Sequence, residues 1–520
     1  MFPPLLSAAF RRPPALALVL ALALPLTACP DETRLDLSRQ LGPVAVGTSL
    51  VTGLPEADTL TVLDLADGRP ETIRHLPLDG PPSLIVAATL NSGDPSALVL
   101  SRQSRTLELI DVATGERRTL PLGSPFEGLA VSPDARFALA YYPPGTASSV
   151  FHNENEVAHI DLDPALTPEQ AVTRRTLASL GGAPMIVALS PAVGDTRFAL
   201  VLSEEHVAVL DLSAPDRPER SVPLVSLTSG GARTPTGVSF GVDGETLWAI
   251  VSTAEASSVY ALAIARSSAA EAEPSGFTVR LSQLPGAGRN GAAALVPLTL
   301  PTGSALFTLT TNPSTALVTL TDVATATGKT LALSPNLDRL HLFEGDDGPM
   351  ALLWSSTSGT TFHVIDLVAM AREQNKAFKT RSSRAPFTEL VPIPGSPRFF
   401  AVHRSTDQGL SVLDADSDRV TGFGRTGQVR SLVMGDDHAY VLTTLGQETW
   451  LVSIDLESLH PEVAQVGHGA ENLAVMADAN TVAALSSEPG GLVTLWPLTD
   501  TSDAAALSVP GFLLDELFNR

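Results

Sequence analysis

HVAVLDLSAP (206–215) holds apolar residues at Val207, Ala208, Val209, Leu210 and Leu212, interrupted only by Asp211. A strand with water on one face alternates apolar with polar residues. Here both alternating sets are apolar, so this strand predicts a sheet covered on both faces. The same shape recurs at TLTVLDLADG (59–68), TLELIDVATG (106–115), EVAHIDLDPA (156–165), SVYALAIARS (258–267), LVTLTDVATATG (317–328), TFHVIDLVAM (361–370), GLSVLDADSD (409–418), TWLVSIDLES (449–458) and GLVTLWPLTD (491–500). The aligned acids are Asp64, Asp111, Asp161, Asp211, Asp322, Asp366, Asp414 and Asp455. Ala263 and Trp496 stand in for Asp in the fifth and tenth copies. An Asp just before a turn accepts hydrogen bonds from the backbone of that turn. The row therefore predicts turn caps, not a catalytic acidic set.

A second motif precedes many of these strands: an apolar strand, a tight turn rich in Pro, Gly or Asp, and another apolar strand. Examples are FEGLAVSPDARFALAYY (126–142), PTGVSFGVDGETLWAIVS (235–252) and VRSLVMGDDHAYVLTT (429–444). This is a hairpin signal. A repeat of 41–59 residues matches a propeller blade of four short strands, which needs neighbours to cover its faces. The couplet resembles the YVTN and WD40-like β-propeller repeats, most closely at Ser132-Pro133-Asp134 and at Val157 to Asp161, and the resemblance spans 42–500. It implies an all-β fold, a β-propeller of about ten four-stranded units. Ten exceeds the usual four to eight blades, so the ring count stays open between irregular units, two fused rings and one large ring. The longest gap contains ARSSAAEAEPSG (265–276) and marks a possible subdivision near 266–290. Leu367 to Phe378 (LVAMAREQNKAF) predicts a short inserted helix. The 501–520 stretch reads as a C-terminal tail, with Phe512, Leu513, Leu514, Leu517 and Phe518 apolar at helical spacing.

The chain has 520 residues, one cysteine and a formal net charge of -23. One cysteine excludes a disulfide scaffold, 44% hydrophobic residues exclude wholesale disorder, and the acidic balance argues against a nucleic-acid partner. At the N-terminus, Arg11 and Arg12 precede an apolar run from Ala15 to Leu26, of signal-peptide rather than membrane-spanning length. The run ends in Leu26-Thr27-Ala28-Cys29, which resembles the lipobox of bacterial lipoproteins. The resemblance implies a signal peptide over 1–28, cleavage before Cys29, acylation of its thiol, and a lipidated tether over 29–41. The expected location is the bacterial cell envelope, periplasmic or surface-exposed, with the membrane contact made by lipid.

Candidate chemistry is sparse. Asp414, Asp416 and Asp418 open a D-x-D-x-D run, but Arg419 stands where a calcium loop needs glycine and Arg425 where it needs glutamate. His152, Glu154, Glu156, His159 and Asp161 crowd one segment, yet alternation along a strand sends close neighbours to opposite faces. Arg372, Lys376, Lys379, Arg381 and Arg384 form a basic cluster. G-x-S-x-G and Walker A sequences are absent. The sequence assigns no catalytic or metal residue and no cofactor; its one assigned site is Cys29. It points to a tethered binding or scaffold module for protein or glycan partners. A propeller hydrolase of lactonase-like type and a structural subunit of an envelope complex are the alternatives.

Overall fold

The computed structural model describes residues 40–511, save 91–92, 146–151, 179–181, 205, 225–233, 255–257, 268–273, 287–290, 335, 346–347, 358, 374–376, 404–408, 418, 424–425, 467–468 and 487–490. The 1–28 stretch read as a signal peptide, Cys29 and the apolar residues after 511 lie outside the described residues. Within them the chain is a succession of antiparallel meanders: eight sheets of four strands and one of seven. The seven-stranded sheet is two units fused through one 15-residue strand, Phe378–Pro392. That strand pairs Phe378 with Ile365 behind it and Pro392 with Phe399 ahead of it. The propeller therefore has ten units, at 41–77, 84–121, 128–176, 186–223, 235–285, 293–332, 339–382, 387–422, 428–466 and 470–510.

The second and third strands of each unit are the most buried, as their two-sided apolar sequences require. Phe198–Ser203 is buried at every position, and His206–Asp211 at its four central ones. The described buried apolar side chains form ten clusters, each shared by neighbouring units. Phe137, Leu139 and Val157 of unit 3 meet Ala199, Val201 and Leu210 of unit 4. Ile250, Val259 and Leu284 of unit 5 meet Leu306 and Val323 of unit 6, across the stretch read as a possible subdivision. Leu50, Leu63 and Leu65 of unit 1 meet Met476, Leu485 and Leu495 of unit 10. The ten junctions close a single ring, and 266–290 is no domain boundary: the strands on either side of 267–276, Ser258–Arg266 and Phe277–Pro285, pair with each other inside unit 5.

Among the described residues every sheet is built from strands consecutive in sequence, and units 1 and 10 share no strand. The last junction is held by packing and by hydrogen bonds that include Asp67 N–H to Ala479 O (2.9 Å), Gly68 N–H to Thr481 Oγ1 (3.0 Å) and Asn480 Nδ2 to Asp67 Oδ1 (3.0 Å). Other junctions are stapled by basic side chains from one unit to backbone carbonyls of the next. Arg74 reaches Val112 and Ala113, Arg118 reaches Asp163 and Leu166, Arg175 reaches Arg217, and Arg398 reaches Leu456 and Glu457. Charged donors on carbonyls are among the stronger protein hydrogen bonds.

Two expectations change. The inserted helix is short, Leu367–Ala371, because Glu373 takes a φ of 57° and Phe378 already begins a strand. The fourth strand of unit 10, Leu507–Pro510, falls inside the stretch read as a tail; its mostly exposed LSVP carries little of the apolar signal that marks the inner strands.

Candidate recognition surface

The aligned Asp residues cap their own turns. Asp111 Oδ1 accepts the Thr114 N–H at 2.9 Å, Asp161 that of Asp163 at 3.0 Å, Asp211 that of Ser213 at 2.9 Å, and Asp322 those of Ala324 and Thr325 at 2.9 and 3.0 Å. Asp366 caps the short helix through the Ala369 N–H. Asp64 departs from the pattern: it accepts from Ser49 and Arg74 and from Thr72. In unit 10 the equivalent position is Pro497, not Trp496. Pro497 pairs with Thr481, and the following Leu498 N–H bonds Asn480 O as Leu65 bonds Thr48 in unit 1. Trp496 is a core residue between units 9 and 10.

The D-x-D-x-D run is such a turn. Asp414 Oδ1 accepts the backbone N–H groups of Asp416 and Ser417 at 3.0 and 3.1 Å; Asp418 and Arg425 lie outside the described residues. Asp414→Ala is expected to cost about 1 kcal/mol in urea unfolding, the usual worth of such bonds. Millimolar calcium should leave the wild-type melting temperature unchanged; a calcium-dependent rise would overturn the turn-cap reading.

The crowded segment of unit 3 is dispersed. His159 is buried between units 3 and 4 with its ring 5.5 Å from that of Phe137. Asp161 caps its turn, and Glu156 accepts from Ser124 Oγ at 2.9 Å. Among the described residues, no three His, Cys, Asp or Glu side chains gather as a metal site would require. The basic cluster is also redistributed. Lys379 and Arg381 sit on the fourth strand of unit 7, as do Arg74, Arg118 and Arg175 on theirs, and Arg372 ends the short helix. Lys376 and the Arg384 side chain lie outside the described residues.

One grouping had no sequence signal. Antiparallel meanders place all turns between second and third strands on the same face as the connections between units. On that face Phe126, Tyr142 and His152, drawn from three separate stretches, stack with ring centroids 4.9 and 4.2 Å apart. Phe126 and Tyr142 are buried and His152 is half-buried. Desolvation pushes the Tyr142 phenol above its ordinary range, and the nearby Glu156 carboxylate adds to it. Glu127 forms an ion pair with Arg102 beside them. Phe126 and Tyr142 belong to the core, so of the three rings it is the half-buried His152, beside the Arg102–Glu127 pair, that a partner on this face can reach.

The first strands of neighbouring units touch from unit 1 to unit 7 and from unit 9 through unit 10 back to unit 1, which puts them on the inner side of the ring. In units 2 to 4 they read LIVAAT, GLAV and IVAL, with no charged residue. In units 7 to 10 they carry exposed Arg339, Glu389, Arg430 and Glu471. The inner side is thus apolar over one arc and charged over another.

No family model matches the chain, and no curated protein matches it. Solved structures with a similar arrangement include dihydro-heme d1 dehydrogenase NirN in complex with DHE, at 14% identity over 74% of this chain and 78% of that one, with a TM-score of 0.42. A Dos1 propeller matches at 11% identity over 72% and 93%, TM-score 0.40. Apo AztD from Citrobacter koseri matches at 12% identity over 82% and 95%, TM-score 0.37. Likenesses at this level carry no argument about activity.

Proposed function

We propose that this protein is a lipid-anchored bacterial envelope lipoprotein whose propeller is a binding or scaffold module for protein or glycan partners. The observation that carries the reading is the ring itself. Ten units packed on both faces leave the two loop faces and the inside of the ring as surfaces for partners, and His152, backed by the buried Tyr142 and Phe126, lies on one loop face. The Leu26-Thr27-Ala28-Cys29 sequence supports the anchor. Two acyl chains give stable membrane attachment without an inserted helix, and no helix among the described residues is long and apolar enough to cross a membrane. Cys29→Ser is expected to move the protein from the membrane fraction to the soluble extracytoplasmic fraction; unchanged partitioning would refute the anchor. Crosslinking in intact cells tests the binding half: a reproducible partner lost on His152→Ala supports the stack face, and labelling indifferent to that change removes it.

A further inference from the structure

Units 4 and 5 carry matching tips on the face opposite the Tyr142 stack. Gly194-Asp195 turns between the bridged Val193 and Thr196, and Gly244-Glu245 turns between the paired Asp243 and Thr246. Both glycines have a φ of 58°, the conformation a two-residue hairpin turn asks of its first position. Each turn therefore presents an exposed carboxylate at its second position. Both tips border one cleft of about 370 Å³, within the range of small-ligand sites. Its floor is apolar, from Phe198 and Ile264, both buried. Its wall is Arg266, the last residue of the third strand of unit 5, whose Nε donates to the buried Thr196 Oγ1 at 2.8 Å. A Cβ added at Gly194 or Gly244 would meet nothing within 4 Å, so the space beside both turns is open.

We propose that this cleft binds a small zwitterion with an apolar body, its ammonium taken by Asp195 and Glu245 and its carboxylate by Arg266. The chemistry follows from the lining: two carboxylates, a guanidinium already oriented by Thr196, and an apolar floor between them. Thr196 Oγ1 takes both Nε and Nη2 on one edge of the guanidinium, which leaves the terminal Nη1–Nη2 edge as the planar, paired donors for a carboxylate. The acidic tips supply the complementary field for an amine. This site is independent of the lipid anchor and of the ring-stack face.

The test is calorimetric titration of the full mature chain with 6-aminohexanoate, hexylamine and hexanoate. The proposal expects saturable binding of 6-aminohexanoate, weaker binding of hexylamine and weaker binding still of hexanoate. Asp195→Asn with Glu245→Gln should weaken 6-aminohexanoate about tenfold, as loss of two exposed charge contacts does. Arg266→Gln should weaken 6-aminohexanoate while leaving hexylamine unchanged. The carboxamide variants keep the glycines and the turn shape, so an unchanged melting temperature verifies that they fold. Absence of saturable heat with 6-aminohexanoate, or equal binding by the double variant, would overturn the proposal. A hexanoate preference would overturn it as well, because it would make the cleft an anion site.

Discussion

Gly68→Ala is expected to destabilise the ring by about 3 kcal/mol, by opening it at the junction of units 1 and 10, which no described segment crosses. Gly68 has a φ of 72°, where an L side chain costs roughly 1–2 kcal/mol. The added Cβ would also stand 2.5 Å from Pro497 Cδ and 2.6 Å from the Trp496 carbonyl carbon, and nearer still to the Pro497 nitrogen. Those are largely backbone atoms, which cannot turn aside as a side chain would, and overpacking of this kind adds roughly 1–3 kcal/mol. Gly446→Ala is the control. Its φ is 69°, but nothing lies within 4 Å of the added atom, so it should cost only the conformational part, about 1 kcal/mol. Urea unfolding of the two variants measures the difference. Hydrogen exchange at the Asp67 and Gly68 amides, both bonded across the junction, should rise in Gly68→Ala alone. Equal stability of the two variants would mean that unit 1 does not rest on unit 10 as described.

The effect is concentrated there for a topological reason. Every other pair of neighbouring units is joined by the chain, and units 7 and 8 by one unbroken strand. Among the described residues, units 1 and 10 meet through side-chain packing and through hydrogen bonds made by Asp67, Gly68 and Asn480. Because no described strand is exchanged there, the free energy of closure rests on surface burial. The apolar residues at this junction, Leu50, Leu63 and Leu485 among them, are what keep the first and last sheets together.

The sheets were legible because their signal is local. Val207 to Leu212 is apolar on both faces, and that alone demands a covered strand. The Asp turn caps were legible for the same reason: the acceptor and its donors lie two or three residues apart. The ring count was not. One ring or two turns on whether Leu50 meets Leu485, residues separated by nearly the whole chain, and no local pattern encodes that. The helix at 367–378 was over-read because apolar spacing continues past Ala371 while the backbone turns at Glu373. The stack of Phe126, Tyr142 and His152 and the cleft between units 4 and 5 were both invisible. Each is assembled from segments that meet only because neighbouring loops share a face. The Gly-Asp and Gly-Glu tips do stand in the sequence as turns, but nothing there sets them side by side.

Acid is expected to weaken this fold between about pH 6.5 and pH 4, and His159→Leu should remove much of that sensitivity. His159 lies on the third strand of unit 3, is 4% exposed, and has no hydrogen-bond partner for Nε2. Desolvation lowers its pKa from 6.5 to about 4; a backbone hydrogen bond with Leu212 opposes the shift, and the positive charge of Arg175 adds to it. The sign follows from proton binding. Above pH 6.5 the imidazole is neutral in both states and folding gains or loses nothing from it. As pH falls below 6.5, the unfolded chain takes up a proton that the folded ring still refuses, so stability declines until about pH 4, where the folded state also protonates. At 1.36 kcal/mol per pKa unit the loss is about 3 kcal/mol. His341, His363 and His403 are lowered by the same desolvation and act in the same direction. Urea unfolding at pH 7.5 and pH 4.5 on wild type and His159→Leu separates their contribution from that of His159. The variant should lose less stability than wild type over that interval, whatever its stability at pH 7.5. An equal loss in the two proteins would show that His159 is protonated in the folded ring, with water reaching an imidazole that lies buried against Phe137 between units 3 and 4.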